Sequence, residues 1–237
     1  MLVAAAVCPC PPLLVPEVAA GAAPELDAAR AACTDALGVL AASRPDRLVV
    51  VGPADSAGPE VYPQGARGSF RGFGVDMDVY LGADSGDGGG ADLPYGLAVG
   101  AWLLGRAGWT DAPVGGIGVG EALSAERCAA VGRDIAARAG RVALLVLGDA
   151  SACRTLKAPG YLDERAAPFD TQVGRALGAA DPVALAAVDV ALARELKVSG
   201  RAPWQVLAGA AEGADLAGAL LYEDAPYGVG YVAATWS

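Results

Sequence analysis

The chain of 237 residues is 54% hydrophobic with a mean hydropathy of +0.39, which excludes a disordered protein and leaves enough apolar material for one large domain or two small ones. A net charge of -10 and a pI of about 4.4 exclude the electrostatic footprint of a nucleic-acid binder, whose affinity comes from Lys and Arg neutralising phosphates. The chain has no histidine, which excludes a Ser-His-Asp triad, a Cys-His pair, a His-ligated metal and an imidazole general base.

The first element expected is a buried strand from Leu2 to Val7, ended by Cys8-Pro9-Cys10-Pro11-Pro12, because proline cannot donate to a sheet ladder. This run lacks the basic flank and small-residue cleavage site of a secretory signal, and no other run is long enough to cross a bilayer. A cytoplasmic protein without a membrane partner is therefore expected. The five cysteines (Cys8, Cys10, Cys33, Cys128, Cys153) are odd in number and scattered, unlike a disulfide framework.

An amphipathic helix follows over Pro24 to Ala42, with Cys33 on its apolar stripe, then a buried strand over Arg47 to Pro53 and a polar loop over Ala54 to Gly58. Gly68 to Leu81 reads as a half-exposed strand or hairpin arm, and Gly82 to Asp92 as an acidic surface loop without the EF-hand spacing. A helix is expected from Asp92 to Arg106, then a Gly-rich strand over Val114 to Val119. The glycines from Gly115 to Gly120 fit neither the dinucleotide fingerprint nor a Walker A loop. Ser124 caps a helix running to Ala139, and Arg141 to Leu147 is the most apolar strand, expected at the sheet centre.

Helices are expected over Tyr161 to Leu177, Asp181 to Leu196 and Pro203 to Ala211. Strands over Ala217 to Tyr222 and Val229 to Trp236 are joined by the turn-rich link Glu223 to Gly228. The pattern implies one α/β domain over 1–237: a central mixed, mostly parallel sheet flanked by helices, with a C-terminal antiparallel hairpin.

Four loops follow apolar strands, and loops at the carboxyl ends of sheet strands commonly converge on a pocket. They carry Cys8, Cys10, Asp55, Ser56, Asp149, Ser151, Cys153, Arg154, Lys157, Glu223 and Asp224. Metal-ligand types are present without histidine, and Arg154 with Lys157 offers a pair for an anionic small molecule.

With those loops placed, the chain resembles the class III extradiol ring-cleavage dioxygenase superfamily, the LigB-like and Memo-like proteins. The similarity lies in the Pro-Pro segment after the first strand, Asp46 to Pro53, Leu147-Gly148-Asp149-Ala150-Ser151, and Ala225-Pro226-Tyr227-Gly228-Val229-Gly230-Tyr231. The resemblance implies a ferrous site of two histidines and one carboxylate, with a further histidine as acid and base. Carried over by position, the first metal histidine corresponds to Cys10, the second to Ala54 or Asp55, the carboxylate to Glu223 and the catalytic histidine to Ala152.

Those replacements alter the chemistry the resemblance implies. A thiolate and a carboxylate in place of two imidazoles make a softer, more anionic site that suits zinc better than iron and oxygen, and Ala152 cannot move a proton. The expected protein is a small-molecule-binding or catalytically silent member that keeps the pocket, with Cys10, Asp55, Ser56, Asp149, Ser151, Arg154, Lys157 and Glu223 as its lining. Alternatives are a hydrolase or transferase that uses Cys10, Asp55 and Glu223 for a metal or thiol site, a residual ring-cleavage dioxygenase, and a structural subunit of a larger complex. The resemblance also implies a homo-oligomer and leaves the cofactor open between none, zinc and iron.

Overall fold

The most apolar run of the chain, Val142–Leu147, is buried along its whole length, which requires paired neighbours on both edges and cover on both faces. The computed structural model, which describes residues 1–83 and 92–237, supplies both. In chain order the elements are β1 (Leu2–Cys8), the single turn α1 (Pro16–Ala19), α2 (Asp27–Ala42), β2 (Arg47–Ala54), β3 (Glu60–Tyr62), β4 (Arg67–Ser69), β5 (Asp78–Tyr80) and α3 (Tyr95–Ala107). They continue with β6 (Val114–Gly120), α4 (Ala125–Ala136), β7 (Val142–Leu147), α5 (Ala166–Gly178), α6 (Pro182–Ala186), α7 (Val190–Glu195), α8 (Arg201–Ala210), β8 (Gly218–Asp224) and β9 (Tyr231–Trp236).

Seven strands form the main sheet in the order β3-β6-β2-β7-β1-β9-β8. The pairs β6/β2, β2/β7 and β7/β1 are parallel, so these four strands end on the same side of the molecule. At the flanks β3 is antiparallel to β6, and β9 is antiparallel both to β1 and to its hairpin partner β8. The architecture is the mixed, mostly parallel α/β domain with a C-terminal antiparallel hairpin that the sequence pattern implies.

The period of two along each strand sorts side chains into two cores. Ala4, Ala6, Leu48, Val50, Ala143, Leu145 and Leu147 face the helices α2 and α3. On the other face, Ala5, Val7, Val49, Val51, Leu144 and Val146 meet α4, α5 and α8. Among the described residues, no helix is long and apolar enough to cross a membrane.

Several elements depart from the sequence expectation for local reasons. The stretch 68–81, expected as a single half-exposed strand or hairpin arm, takes part in both short arms of the separate hairpin β4/β5, held by Arg71 and Arg67 on Asp78. The acidic loop expected at 82–92 lies mostly outside the described residues. The helix expected from Asp92 begins at Tyr95, and Asp92 instead pairs with Arg67 at 3.3 Å. The helix expected over Asp181 to Leu196 is split into α6 and α7. Asp189 caps the second piece through the Leu192 amide, and the amide of buried Gln205 donates to the carbonyls of Ala186 and Val188 that the break releases.

Helices α4 and α8 approach backbone to backbone. A Cβ on Gly132 would stand 2.0 Å from the Val206 carbonyl oxygen, and one on Gly209 would stand 2.1 Å from that of Ala129. No side chain fits between them. We expect Gly209→Val to lower Tm by at least roughly 10 °C or to prevent folding. By contrast Gly38, in the solvent-facing part of α2 with open space before it, should gain roughly 0.5–1 kcal/mol on change to Ala. Thermal melts of the two variants check both signs.

Candidate functional site

The carboxyl ends of β1 and β7 lie side by side, with Cys8 opposite Leu147 in the register. Just beyond them, Cys10 N–H donates to Asp149 Oδ1 at 2.8 Å. The Asp149 N–H donates to the Ser199 hydroxyl oxygen at 2.9 Å, and the Asp149 carbonyl accepts from Gly200 N–H at 2.9 Å. Asp149 therefore ties the loops after β1 and β7 to the start of α8. The tie needs a tight approach, because a Cβ on Gly148 would lie 2.2 Å from the Gly200 Cα.

Burial pushes the Asp149 carboxyl up to about 7, partly offset by the Cys10 backbone donor. The Cys10 thiol is fully buried and held well above its ordinary range, first by burial and then by the Asp149 charge, with hydrogen bonding from Ser199 acting the other way. The Tyr95 hydroxyl is pushed up by burial and by the nearby Cys10 and Asp149, again opposed by hydrogen bonding to Ser199. At neutral pH the cluster thus holds a neutral thiol, a neutral phenol, a hydroxyl and a carboxyl near its midpoint. It can exchange hydrogen bonds and one proton.

Tyr95, the first residue of α3, also faces outward. With Asp55 and Glu121 it lines a cavity of about 100 Å³ whose remaining walls are Pro53, Ala54 and Pro94. Glu121 is held there from below: the Arg201 guanidinium, itself buried, donates to the backbone carbonyls of Glu121 and Leu123. The cavity wall carries two carboxylates and no basic side chain.

The residues expected to converge do so only in part. Cys10 and Asp149 meet, and Asp55 reaches the outer cavity. Ser56 turns back on its own loop and donates to the Gly58 carbonyl at 2.6 Å. Ser151 is fully buried away from the cavity, its N–H and hydroxyl both donating to Asp170, at 2.9 and 2.8 Å. Arg154 is committed to the same carboxylate at 2.9 Å, so it is not a free anion receptor beside the exposed Lys157. Ala152 is buried, its N–H donating to the Leu196 carbonyl.

The expected metal set is also corrected. Strand β8 continues through Asp224, so Glu223 is a strand residue rather than part of a loop, and its carboxylate lies over Gly174 of α5. Among the described residues, no group of three or more Cys, Asp or Glu side chains is arranged to hold a metal, so Cys10, Asp55 and Glu223 do not form a ligand set. In the Cys8-x-Cys10 pair, the stronger partner of Cys8 is Cys33 rather than Cys10. The Cys8 thiol hydrogen-bonds with Cys33 of α2, which together with burial raises it well above its ordinary value.

Tyr95, Ser199 and Asp170 are not readable as site residues, whereas Glu121 directly follows β6 and carries the strand-end signal. Tyr95 and Ser199 stand at helix starts rather than after strands. The only sequence signal for either is a small residue, Gly96 or Gly200, immediately following it, where the backbone must approach another segment.

No family model matches the sequence, and no curated protein matches it. Among solved structures, that of an uncharacterized protein from Escherichia coli K12 superposes with a TM-score of 0.60 at 14% identity, covering 99% of this chain and 100% of that one. The likeness defines a shared fold over the whole chain.

Two outcomes are expected from these contacts. The Asp149 carboxyl titrates higher in the folded chain than its ordinary value of 3.8, so its contribution to stability is complete below about pH 4 and is lost as the pH rises to about 7. Asp149→Asn, which keeps an acceptor for Cys10, should match the parent Tm near pH 4 and exceed it at pH 8 by roughly 5 °C. Equal melting curves at both pH values would contradict the assignment. Asp170→Ala strands buried Ser151 and the Arg154 charge together, and chemical denaturation should show a loss of roughly 3 kcal/mol.

Proposed function

We propose that the chain is a small-molecule-binding protein of the extradiol-dioxygenase-like type that keeps a pocket at the strand ends and does not cleave aromatic rings. The observation that carries this reading is the junction of Cys10, Asp149, Ser199 and Tyr95 beneath a cavity at the carboxyl ends of the parallel strands. Ring cleavage by the mechanism the resemblance implies needs two imidazoles and a carboxylate around iron and a histidine to move the proton. Here Cys10 is a buried thiol, Asp55 faces the cavity from outside, Glu223 belongs to another surface and Ala152 has no proton to give.

The lining selects the ligand's character. Asp55 and Glu121 with the Asp149 carboxyl beneath favour a neutral or cationic hydrogen-bond donor over an anion. A diphenol meets that requirement, since its two hydroxyls donate while its ring packs on Tyr95. Calorimetric titration with catechol at pH 7 should show saturable binding that Tyr95→Ala weakens at least tenfold. Ferrous loading should produce no oxygen uptake with the same compound. Absence of binding would overturn the pocket reading, and stoichiometric oxygen uptake with a ring-opened product would overturn the loss of catalysis.

A further inference from the structure

A second concavity, well separated along α3 from the strand-end cavity, is a groove of about 430 Å³ between α1, β5 and the last turns of α3. That volume falls within the usual range for small-molecule sites, about 300–1,000 Å³. Its aromatic surface comes from Trp102 and Tyr80, the second of which is 37% exposed. The Arg106 guanidinium lies over the Trp102 ring, 5.7 Å from its centroid.

The charges around the groove are not balanced against one another. Asp78 is already compensated by Arg71 at 3.1 Å and Arg67 at 3.8 Å. Glu17 and Arg106 both line the groove, yet neither forms an ion pair with any described residue. A simple anion would meet Arg106 but also Glu17 and a protein of net charge -10. A simple cation would meet Glu17 but find the Trp102 face already occupied by a guanidinium of like charge. A molecule with one charge of each sign and an apolar body satisfies both ends at once.

We propose that this groove binds a free α-amino acid with an aromatic or large aliphatic side chain. Its carboxylate is held by Arg106 where that guanidinium lies over Trp102, its ammonium by Glu17, and its side chain lies against Tyr80. The glycine at 105 is part of this design: it lines the groove, and a Cβ there would meet nothing within 4 Å. A larger residue at this position would stand in the space the ligand's side chain needs. In a helix it would also favour folding rather than oppose it.

The test is calorimetric titration of the full chain with L-phenylalanine. Saturable binding is expected, at least tenfold weaker for Arg106→Gln and for Glu17→Gln, and at least tenfold weaker for phenylacetate and for phenethylamine with the parent protein. Gly105→Leu should abolish binding while its Tm stays at or above that of the parent. Tyr95→Ala, which alters the strand-end cavity, should leave phenylalanine binding unchanged. No binding by the parent, equal binding of phenylacetate or phenethylamine, insensitivity to either charge removal, or full binding by Gly105→Leu would each overturn the proposal. Loss of binding in Tyr95→Ala alone would place the amino acid at the strand ends and overturn it as well.

Discussion

The bond from Cys10 N–H to the Asp149 carboxylate is the contact on which the loops at the strand ends depend. Parallel strands finish with backbone groups that no neighbour can satisfy, and their loops must find partners elsewhere. One aspartate makes three such contacts here. Its side chain takes the amide after β1, its own amide goes to Ser199, and its carbonyl receives Gly200. Three segments distant in sequence are thereby fixed within a few bonds of one carboxyl group. The arrangement is dry enough to raise that group's affinity for a proton to the neutral range.

A second carboxylate, Asp170, does the same for the following loop. It receives Ser151 twice and Arg154 once, and it lies almost wholly out of water. The two aspartates divide the segment after β7 between them: Asp149 looks toward the strand ends, and Asp170 anchors what lies behind. This division explains why Arg154, attractive as a receptor for anions, has no free charge to offer. The cation is required to make burial of Asp170 tolerable. The surface that remains at the strand ends carries the carboxylates of Asp55 and Glu121 and is therefore acidic.

The strands and their order of burial were legible because apolar runs ended by proline or glycine carry a physical signal. Val142 to Leu147 has no polar residue to place on a solvated face, so it had to be central. Asp149 was legible by position, being the second residue after such a strand. Ser199 was not, since 50 residues separate it from Asp149 and nothing local distinguishes it from an ordinary link between helices. Glu223 failed for a different reason: the turn residues after it suggested a loop, whereas the ladder with β9 runs on to Asp224 and rotates the carboxylate onto α5. A strand fixes each side chain on one of two faces, so extending β8 through Asp224 commits Glu223 to the face covered by α5, where a loop would have left its direction open.

The contact between α4 and α8 sets a tolerance. Most helix pairs are separated by side chains that can change rotamer or lose a methylene and still touch. Gly132 and Gly209 instead bring backbone against backbone, a hard stop with no cushion to compress. Because Ser199 and Gly200 lead directly into α8, the position of the Asp149 partners is referenced to that stop. Variation elsewhere in the core can be absorbed before it reaches the strand ends. The spacing at this junction is thus set by backbone atoms that no ordinary side-chain substitution moves.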